Sequence, residues 1–522
     1  MDPVATIAWV VAFVLVTVIV TGLVGRIGFS APVALVVVGG IASFVPWVPR
    51  VSVEPDLILF GILPPLLFAA ALKTSLIDIR ARNDSILLLS VGLVAFTVVV
   101  VGVSTWAVLP AVGLAAAFAF AAVVAPTDAV AVTAIAGKVG LPRRVVTILE
   151  GESLLNDATA LVALNAAIAA IVSVVNPGTV ALDFVLAVSV GVAVGVGAGA
   201  LLTVVRRPLR SPVLDTTLML AVPFAVFLIA DELHGSGVIA VVITGLYVGF
   251  RSPGVIRAES RVAAQLVWRT IQFLLENAVF LFIGLNLAGI LEGAVRTGPG
   301  LWPTVGIVAA ILAALILSRF VWVMITTFVY RFGPRVLRDR SWDVRNGIAV
   351  ASASVRGVVT LAAVFLLPEQ TPMREYLQFL AFVVVVASLI GGLALPRIAR
   401  ALHLPARNDL QERTEVKLLM AEARQAGLRR LDETVTPDDE PRVVELLRAD
   451  AAFLGETLDA GADVAWPQLQ SMHRLRRAMI QAQREAVLVA RRERRFQEVA
   501  VLAALRAIDA EETSLRAQEA EP

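Results

Sequence analysis

The amino-acid sequence predicts an all-α polytopic membrane protein with about thirteen transmembrane helices and a helical tail. Of the 522 residues, 58% are hydrophobic and only 16% are charged, whereas soluble domains average about 45–50% apolar and about 25% charged residues. Residues 401–522 hold nearly half of the charged residues in less than a quarter of the chain. We therefore expect a membrane domain in residues 1–400 and a soluble tail in residues 401–522.

Apolar stretches of bilayer-spanning length recur before residue 400, separated by short polar or Pro/Gly-rich turns. A membrane helix needs about 20 apolar residues. The first stretch, Val4 to Val24, is longer than the core of a signal peptide and has no basic segment before it, so we expect it to be retained. The predicted spans begin near residues 4, 29, 56, 84, 110, 144, 180, 213, 235, 265, 301, 345 and 375.

The charges of the loops predict the orientation, because Lys and Arg near span ends favour the cytoplasm. With the N-terminus outside, the inward loops hold eighteen Lys and Arg residues and the outward loops hold three. We expect a plasma (inner) membrane protein whose tail is cytoplasmic. Apolar residues at helical spacing predict helices in that tail, which could regulate the membrane domain.

Composition excludes several classes of function. The chain has no cysteine, which excludes disulfides and thiolate catalysis, and its three histidines are too scattered in sequence for a metal cluster. The net charge of +2 does not indicate a nucleic-acid partner. No Gly-rich phosphate loop is present, and we predict no cofactor. The partners expected from composition are membrane lipid and a transported monovalent cation.

Ionisable residues inside a membrane span are costly, so each one is a candidate functional residue. The fifth predicted span carries Pro126, Thr127 and Asp128 near its middle. Proline has no N–H, so the carbonyl of Ala122 loses its helical partner and is free to face a cation. A broken helix beside a buried acid is typical of transporters.

The sixth predicted span supplies more oxygen. Ser153, Asn156 and Asp157 stand at i, i+3 and i+4, on one face of a helix. Monovalent cations such as Na+ and K+ prefer oxygen ligands. We therefore predict one cation- and proton-binding pocket formed by Asp157, Asp128, Asn156, Ser153 and Thr127, with the cation itself at Asp157, Ser153 and Thr127.

Competition at one carboxylate gives a mechanism. Burial disfavours a bare charge, so Asp157 gains from holding a proton or a cation but little from holding both. If both loaded forms reorient and the empty form does not, the result is obligatory exchange of Na+ or K+ for H+. Because Asn156 does not titrate, the sequence favours one-for-one, electroneutral exchange.

Other charged residues fall inside spans. Arg319 and Arg356 lie in the eleventh and twelfth predicted spans, and Glu152 is the expected partner of one of them in a structural ion pair, since an unpaired buried arginine is prohibitively costly. Glu276 lies in the tenth span, and we favour a structural or interface role for it.

Several motifs, taken together in this order, resemble the monovalent cation/proton antiporter-1 family, which is related to eukaryotic sodium/proton exchangers. The resemblance covers roughly residues 5–400. Its segments are Ala125-Pro126-Thr127-Asp128-Ala129-Val130, Glu150-Gly151-Glu152-Ser153-Leu154-Leu155-Asn156-Asp157, Leu63-Pro64-Pro65-Leu66-Leu67-Phe68, Leu233-His234-Gly235-Ser236-Gly237-Val238, Phe280-Leu281-Phe282-Ile283-Gly284-Leu285 and Arg356-Gly357.

The resemblance implies two inverted repeats, interrupted fifth and twelfth helices that cross near the ion, and a homodimer. It implies that Asp157 binds the ion and the proton, helped by the other four predicted pocket residues, and that Glu152 pairs with Arg319. Many family members have an acid directly after the Leu-Pro-Pro-Leu-Leu-Phe segment. Here that position is Ala69, which leaves the preferred cation open.

Two other classes of function compete with exchange. A membrane-embedded hydrolase could use two aspartates that share a proton and activate water, but the sequence contains no Gly-x-Gly-Asp or His-Glu-x-x-His motif. An ion channel, or a transporter-like sensor acting through its tail, is the other alternative. A buried, titratable Asp157 favours exchange over open conduction, and we predict a transporter that is not an enzyme.

Overall fold

The computed structural model describes residues 3–27, 30–48, 57–128, 143–172, 177–332, 343–403, 425–436 and scattered tail positions between 439 and 515. Within these residues the chain is helical and contains no strand. It divides into two compact units, Met1–Arg407 and Asn408–Pro522.

The first unit is a bundle of helices joined by short connections. Two short π-helical stretches, Leu57–Ile62 and Leu88–Gly92, lead into α3 and α6 respectively. In chain order the helices are α1 (Pro3–Ile27), α2 (Ala31–Ser43), α3 (Leu63–Lys73), α4 (Leu76–Ala81), α5 (Asn83–Leu87), α6 (Leu93–Val108), α7 (Leu114–Val124), α8 (Arg143–Val172), α9 (Pro177–Arg206), α10 (Pro212–Glu232), α11 (Gly237–Val255), α12 (Ala258–Leu285), α13 (Leu287–Thr297), α14 (Leu301–Phe332), α15 (Val344–Ser352), α16 (Val358–Val364), α17 (Arg374–Gly392) and α18 (Leu395–Ala401).

These helices make the chain a multi-pass membrane protein. Eight helical stretches among the described residues are long and apolar enough to cross a bilayer, and four shorter apolar helices accompany them. A described helix begins near each of the thirteen predicted starts, although the twelfth predicted span is divided into α15 and α16. The all-helical prediction is confirmed, while the count of thirteen crossings stays a prediction.

Local sequence explains where two of the long helices begin. Ser211 precedes Pro212 and accepts a hydrogen bond from the Leu214 N–H at 3.4 Å, which caps α10. Ser236 caps α11 in the same way, through the Ile239 N–H at 3.3 Å. A serine side chain replaces the missing helical acceptor for the first N–H groups, and proline tolerates the first turn because its N–H is not needed there.

The interior of the unit is built around the short helix α7. Its six residues from Ala119 to Val124 are all buried, and three of them are alanine. Small side chains let α6, α8 and α17 pack closely on it. By contrast, α1 exposes most of its large apolar side chains, as expected of a helix that faces lipid. The described part of the fifth predicted span therefore lies in the centre of the bundle.

A stripe of glycines brings α9 against α11. Gly191, Gly195 and Gly199 recur every four residues, and each faces the backbone or a side chain of α11 or its cap. A Cβ on Gly195 would lie 2.7 Å from the carbonyl oxygen of Ala240, and the Thr244 hydroxyl donates to the Gly195 carbonyl at 3.1 Å. The two backbones approach so closely that only glycine fits.

We therefore expect Gly195→Val to separate α9 from α11 and to lower the thermal stability of the detergent-purified protein. Gly197→Val is the matched control, because a Cβ on Gly197 would meet no atom within 4 Å. Unfolding followed by tryptophan fluorescence checks the difference. Equal melting temperatures for the two variants would contradict this account of the glycine stripe.

The second unit is described only in part. Residues 425–434 form a helix, and Ile480, Ile508 and Leu515 are buried together, with Val487 packed against them. Most other residues of the predicted tail lie outside the described residues, as do residues 129–135 of the fifth predicted span.

Candidate functional site

Two non-helical segments meet at the centre of the bundle. The helix α7 ends at Val124, and residues 125–128 are not helical, as Pro126 predicts. A second non-helical segment, residues 353–357, separates α15 from α16. The Asp128 N–H donates to the Val355 carbonyl at 2.8 Å, so the two segments pair through their backbones.

Glycine is required at one point of this crossing. A Cβ built on Gly357 would overlap the carboxylate of Asp128. The α15–α16 break therefore comes into direct contact with the acid of the other break, and Asp128 is held against backbone.

Two buried arginines bind the free carbonyls at the ends of the half-helices. Arg356 donates from Nε to the Val124 carbonyl at 3.2 Å and from Nη1 to the Ser354 carbonyl at 2.9 Å. Arg319 donates from Nε and Nη2 to the Val350 carbonyl at 3.3 and 3.0 Å. A positive charge at the C-terminal end of a helix also offsets the negative end of the helix dipole.

Only one of these arginines faces the expected acid. Arg319 binds Glu152 through two nitrogens, at 2.5 and 3.0 Å, and the two residues are 2% and 1% exposed. Such a bidentate pair compensates two charges that would otherwise be costly to bury. Arg356 instead binds backbone carbonyls. Looking for acidic partners in the sequence cannot predict such contacts, because every residue carries a carbonyl.

Thr127 connects the break to the pair and to α8. Its hydroxyl donates to Glu152 at 3.0 Å, and it accepts from the Asn156 amide nitrogen at 3.0 Å. The same nitrogen donates to the Thr127 carbonyl at 3.2 Å. Asn156 therefore holds the break, while its own buried Oδ1 has no hydrogen-bond partner among the described residues.

A cavity of about 290 Å³ opens beside the crossing. Four of the five predicted pocket residues line it, namely Thr127, Asp128, Ser153 and Asp157, whereas Asn156 does not. Asp157 is only 7% exposed, and Asp128 is close enough to act on it electrostatically. The structure therefore places carboxylate and hydroxyl oxygens from two elements around one space that a cation could enter.

The same cavity is lined by polar residues that the sequence did not assign to it. They are Lys73, Thr74, Glu150, Gln272, Glu276 and Thr360. Glu276, for which the sequence favours a structural or interface role, lies in the cavity wall. The signal in the sequence that could have placed Glu276 at the site is that it is an acid within a predicted span. Gln272 lies one helical turn before Glu276 and therefore on the same face of the helix.

The fold and this site together define a class of protein. A buried carboxylate beside non-helical segments at the ends of helices, inside a multi-pass bundle and open to a polar cavity, is the arrangement of a secondary transporter.

Comparison with known proteins gives the family. The family model described as "Sodium/hydrogen exchanger, transmembrane" matches residues 11–401, so the chain belongs to that family of membrane transporters. An uncharacterized Na+/H+ exchanger of Mycobacterium tuberculosis is 32% identical over 527 residues, which cover 97% of this chain and 95% of that protein.

Two further similarities are informative. A sodium, potassium, lithium and rubidium/H+ antiporter of Bacillus subtilis is 30% identical over 73% of this chain and 60% of its own length. The sodium proton antiporter MjNhaP1 of Methanocaldococcus jannaschii superposes with a TM-score of 0.62 at 18% identity, over 77% of this chain and 99% of that one. At this low sequence identity, the structural match shows that the two proteins share a fold.

We expect loss of one partner of the Glu152–Arg319 pair to destabilise the protein by about 3–5 kcal/mol, because the remaining charge stays buried without its partner. Arg319→Leu tests this through thermal unfolding in detergent. Arg296→Gln is the control, since Arg296 forms an equally short ion pair with Glu375 but is 72% exposed. A fall in stability no larger for Arg319→Leu than for Arg296→Gln would contradict the prediction.

Proposed function

We propose that the chain is a cation/proton antiporter that exchanges Na+ or K+ for H+ at Asp157. The observation that carries the proposal is the position of Asp157, a buried carboxylate in the wall of a cavity beside two crossed helix breaks. Membership of the sodium/hydrogen exchanger family supports the reaction class.

The proposed cation ligands are oxygens on α8 and on the break after α7. Asp157 and Ser153 line the cavity from α8, and Thr127 and Asp128 line it from the break. The Oδ1 of Asn156, which has no hydrogen-bond partner among the described residues, adds a buried acceptor close to the same segment. These oxygens replace the water that a hard monovalent cation loses on entering the protein.

Exchange follows from the position of one carboxylate. A bare charge on Asp157 is disfavoured by its burial, so the carboxylate is stabilised by either a proton or a cation. The two loaded forms reorient between the sides of the membrane, and the empty form does not. Each turnover therefore moves a cation one way and a proton the other.

The stoichiometry proposed is one cation for one proton. Asn156, next to Asp157, cannot titrate and is engaged with Thr127 as a donor. Asp128 is held against Gly357 and bonds through its backbone to Val355, so we assign it to cation coordination. A single proton-carrying acid gives electroneutral exchange.

The cation is proposed as Na+ or K+ without a choice between them. The Bacillus subtilis relative is named for exchange of both ions and of lithium and rubidium, which supports a broad preference. Ala69 is fully buried, and its side chain has no oxygen, so α3 contributes no carboxylate at that position that could select one cation over the other.

The cellular setting is part of the proposal. The distribution of Lys and Arg among the loops supports a plasma-membrane protein with its N-terminus outside and residues 401–522 in the cytoplasm. A homodimer is proposed on the family resemblance. The tail forms a compact unit of its own, which supports a regulatory role.

Asp157→Asn is expected to abolish exchange, because the amide can neither release a proton nor neutralise a cation. In the wild type, one competing proton raises the apparent KM for Na+ by at most about tenfold for each unit that pH falls. Both effects are measured with a pH-sensitive dye in proteoliposomes given Na+ or K+.

Asp183→Asn is the control for this experiment, since Asp183 is exposed on α9 and lies outside the cavity. Exchange that survives Asp157→Asn in folded protein, or an apparent KM that does not depend on pH, would overturn the role given to Asp157.

Electroneutral exchange has its own test. A jump in Na+ concentration over wild-type proteoliposomes on a solid-supported membrane should change the internal pH without a sustained transfer of charge. A sustained current that Asp157→Asn removes would show that more than one proton moves for each cation.

A further inference from the structure

Three polar side chains in the wall of the cavity form a hydrogen-bonded chain that the exchange mechanism does not use. Lys73, the last residue of α3, donates from Nζ to the Gln272 side-chain oxygen at 2.5 Å. The Gln272 amide nitrogen donates to Glu276 Oε1 at 2.6 Å. All three residues line the cavity that holds Asp157.

The hydrogen-bonded series of Lys73, Gln272 and Glu276 runs from an exposed residue toward buried ones. Lys73 is exposed, whereas Gln272 is only 8% exposed. Glu276 interacts electrostatically with Lys73 on one side and with Asp128 on the other. Asp128 in turn acts on Asp157. A sequence of charges therefore leads from the exposed lysine to the proposed exchange site.

The balance of charge favours cations in this space. Four carboxylates line the cavity, those of Asp128, Glu150, Asp157 and Glu276, and Lys73 is the one lysine or arginine among the described lining residues. A cleft lined by one sign of charge concentrates ions of the opposite sign. The ammonium of Lys73 is itself a compact, strongly hydrated monovalent cation, and it is bound here to an amide oxygen.

We propose that Gln272 and Glu276 form a second, entry position for the transported monovalent cation, and that Lys73 occupies this position as a tethered competitor. The arriving cation displaces the ammonium from the Gln272 oxygen, is held by the Glu276 carboxylate, and passes on to Asp128 and Asp157. This inference rests on the proposed antiport and assigns a part of its route.

A purely structural role makes a different prediction. If the hydrogen bonds among Lys73, Gln272 and Glu276 only hold α3 against α12, substitution of these residues lowers stability and leaves the apparent KM for cations unchanged. If Lys73 competes with the cation, substitution of Lys73 lowers the apparent KM for the cation, and this decrease requires Glu276.

The first test is a double-mutant cycle on transport in proteoliposomes. Lys73→Met should lower the apparent KM for Na+ by about threefold to tenfold, and Glu276→Gln should raise it by a similar factor. The double variant should resemble Glu276→Gln alone, because Lys73 has nothing to compete for once Glu276 is gone. Glu259→Gln, an exposed acid on the same helix, is the matched control and should have the wild-type KM.

Unchanged KM values in folded Lys73→Met and Glu276→Gln would overturn the entry position. Additive effects in the double variant would also overturn it, since Lys73 would then act only as a distant charge. Absence of exchange in the wild type would instead refute the proposed function, which the Asp157→Asn comparison identifies separately.

A binding measurement tests the entry position without transport. In detergent, Na+ should still raise the melting temperature of Asp157→Asn, measured against choline at equal ionic strength, because ligand bound to the folded state stabilises it. Adding Glu276→Gln to that variant should remove this effect. If Asp157→Asn shows no stabilisation by Na+, or if the double variant retains it, no cation is held at Glu276.

Discussion

A polar backbone group inside a bilayer has no water to bind, and this constraint governs the centre of the protein. Two helix breaks release N–H and carbonyl groups into the middle of the bundle. The two breaks supply hydrogen-bond partners for each other, because the Asp128 N–H donates to the Val355 carbonyl. Arg356 and Arg319 bind the carbonyls of Val124 and Val350 at the ends of the half-helices. Each break is stable only because the other elements supply its partners.

The charges brought in for this purpose create a second requirement. Arg319 is buried, so it needs a carboxylate, and Glu152 on α8 provides one. Glu152 also accepts from Thr127, which connects the ion pair to the break after α7. Asn156 binds the other side of Thr127. The residues that hold the break open are therefore coupled to those that face the cavity. Proton or cation binding at Asp157 takes place directly beside Asn156, whose side chain holds Thr127 in place.

The cavity joins this rigid centre to the polar residues of α3 and α12. Its lining combines apolar side chains such as Leu66 and Leu67 with several carboxylates. Low-dielectric walls strengthen the field of those carboxylates, which favours cations over anions. Lys73, which is exposed and lines the same cavity, carries the opposite charge.

Much of this protein could be predicted from its sequence, because the signals are local. Hydropathy located the membrane helices, since a bilayer demands about 20 apolar residues for each crossing. Helical periodicity put Ser153, Asn156 and Asp157 on one face, and Pro126 marked the first break, because both follow from the geometry of a single helix. The family resemblance added the crossing and the choice of Arg319 as the partner of Glu152.

Only the tertiary structure decided how distant segments meet. Lys73 and Gln272 are 199 residues apart in sequence, and nothing local indicates that they share a hydrogen bond. The same is true of Arg356, which binds the carbonyl of Val124 across 232 residues, and of Glu276, which faces the cavity of Asp157. These contacts depend on the angles and offsets at which whole helices pack. The sequence by itself therefore determined the helices and the acid at Asp157, and packing decided which side chains surround that acid.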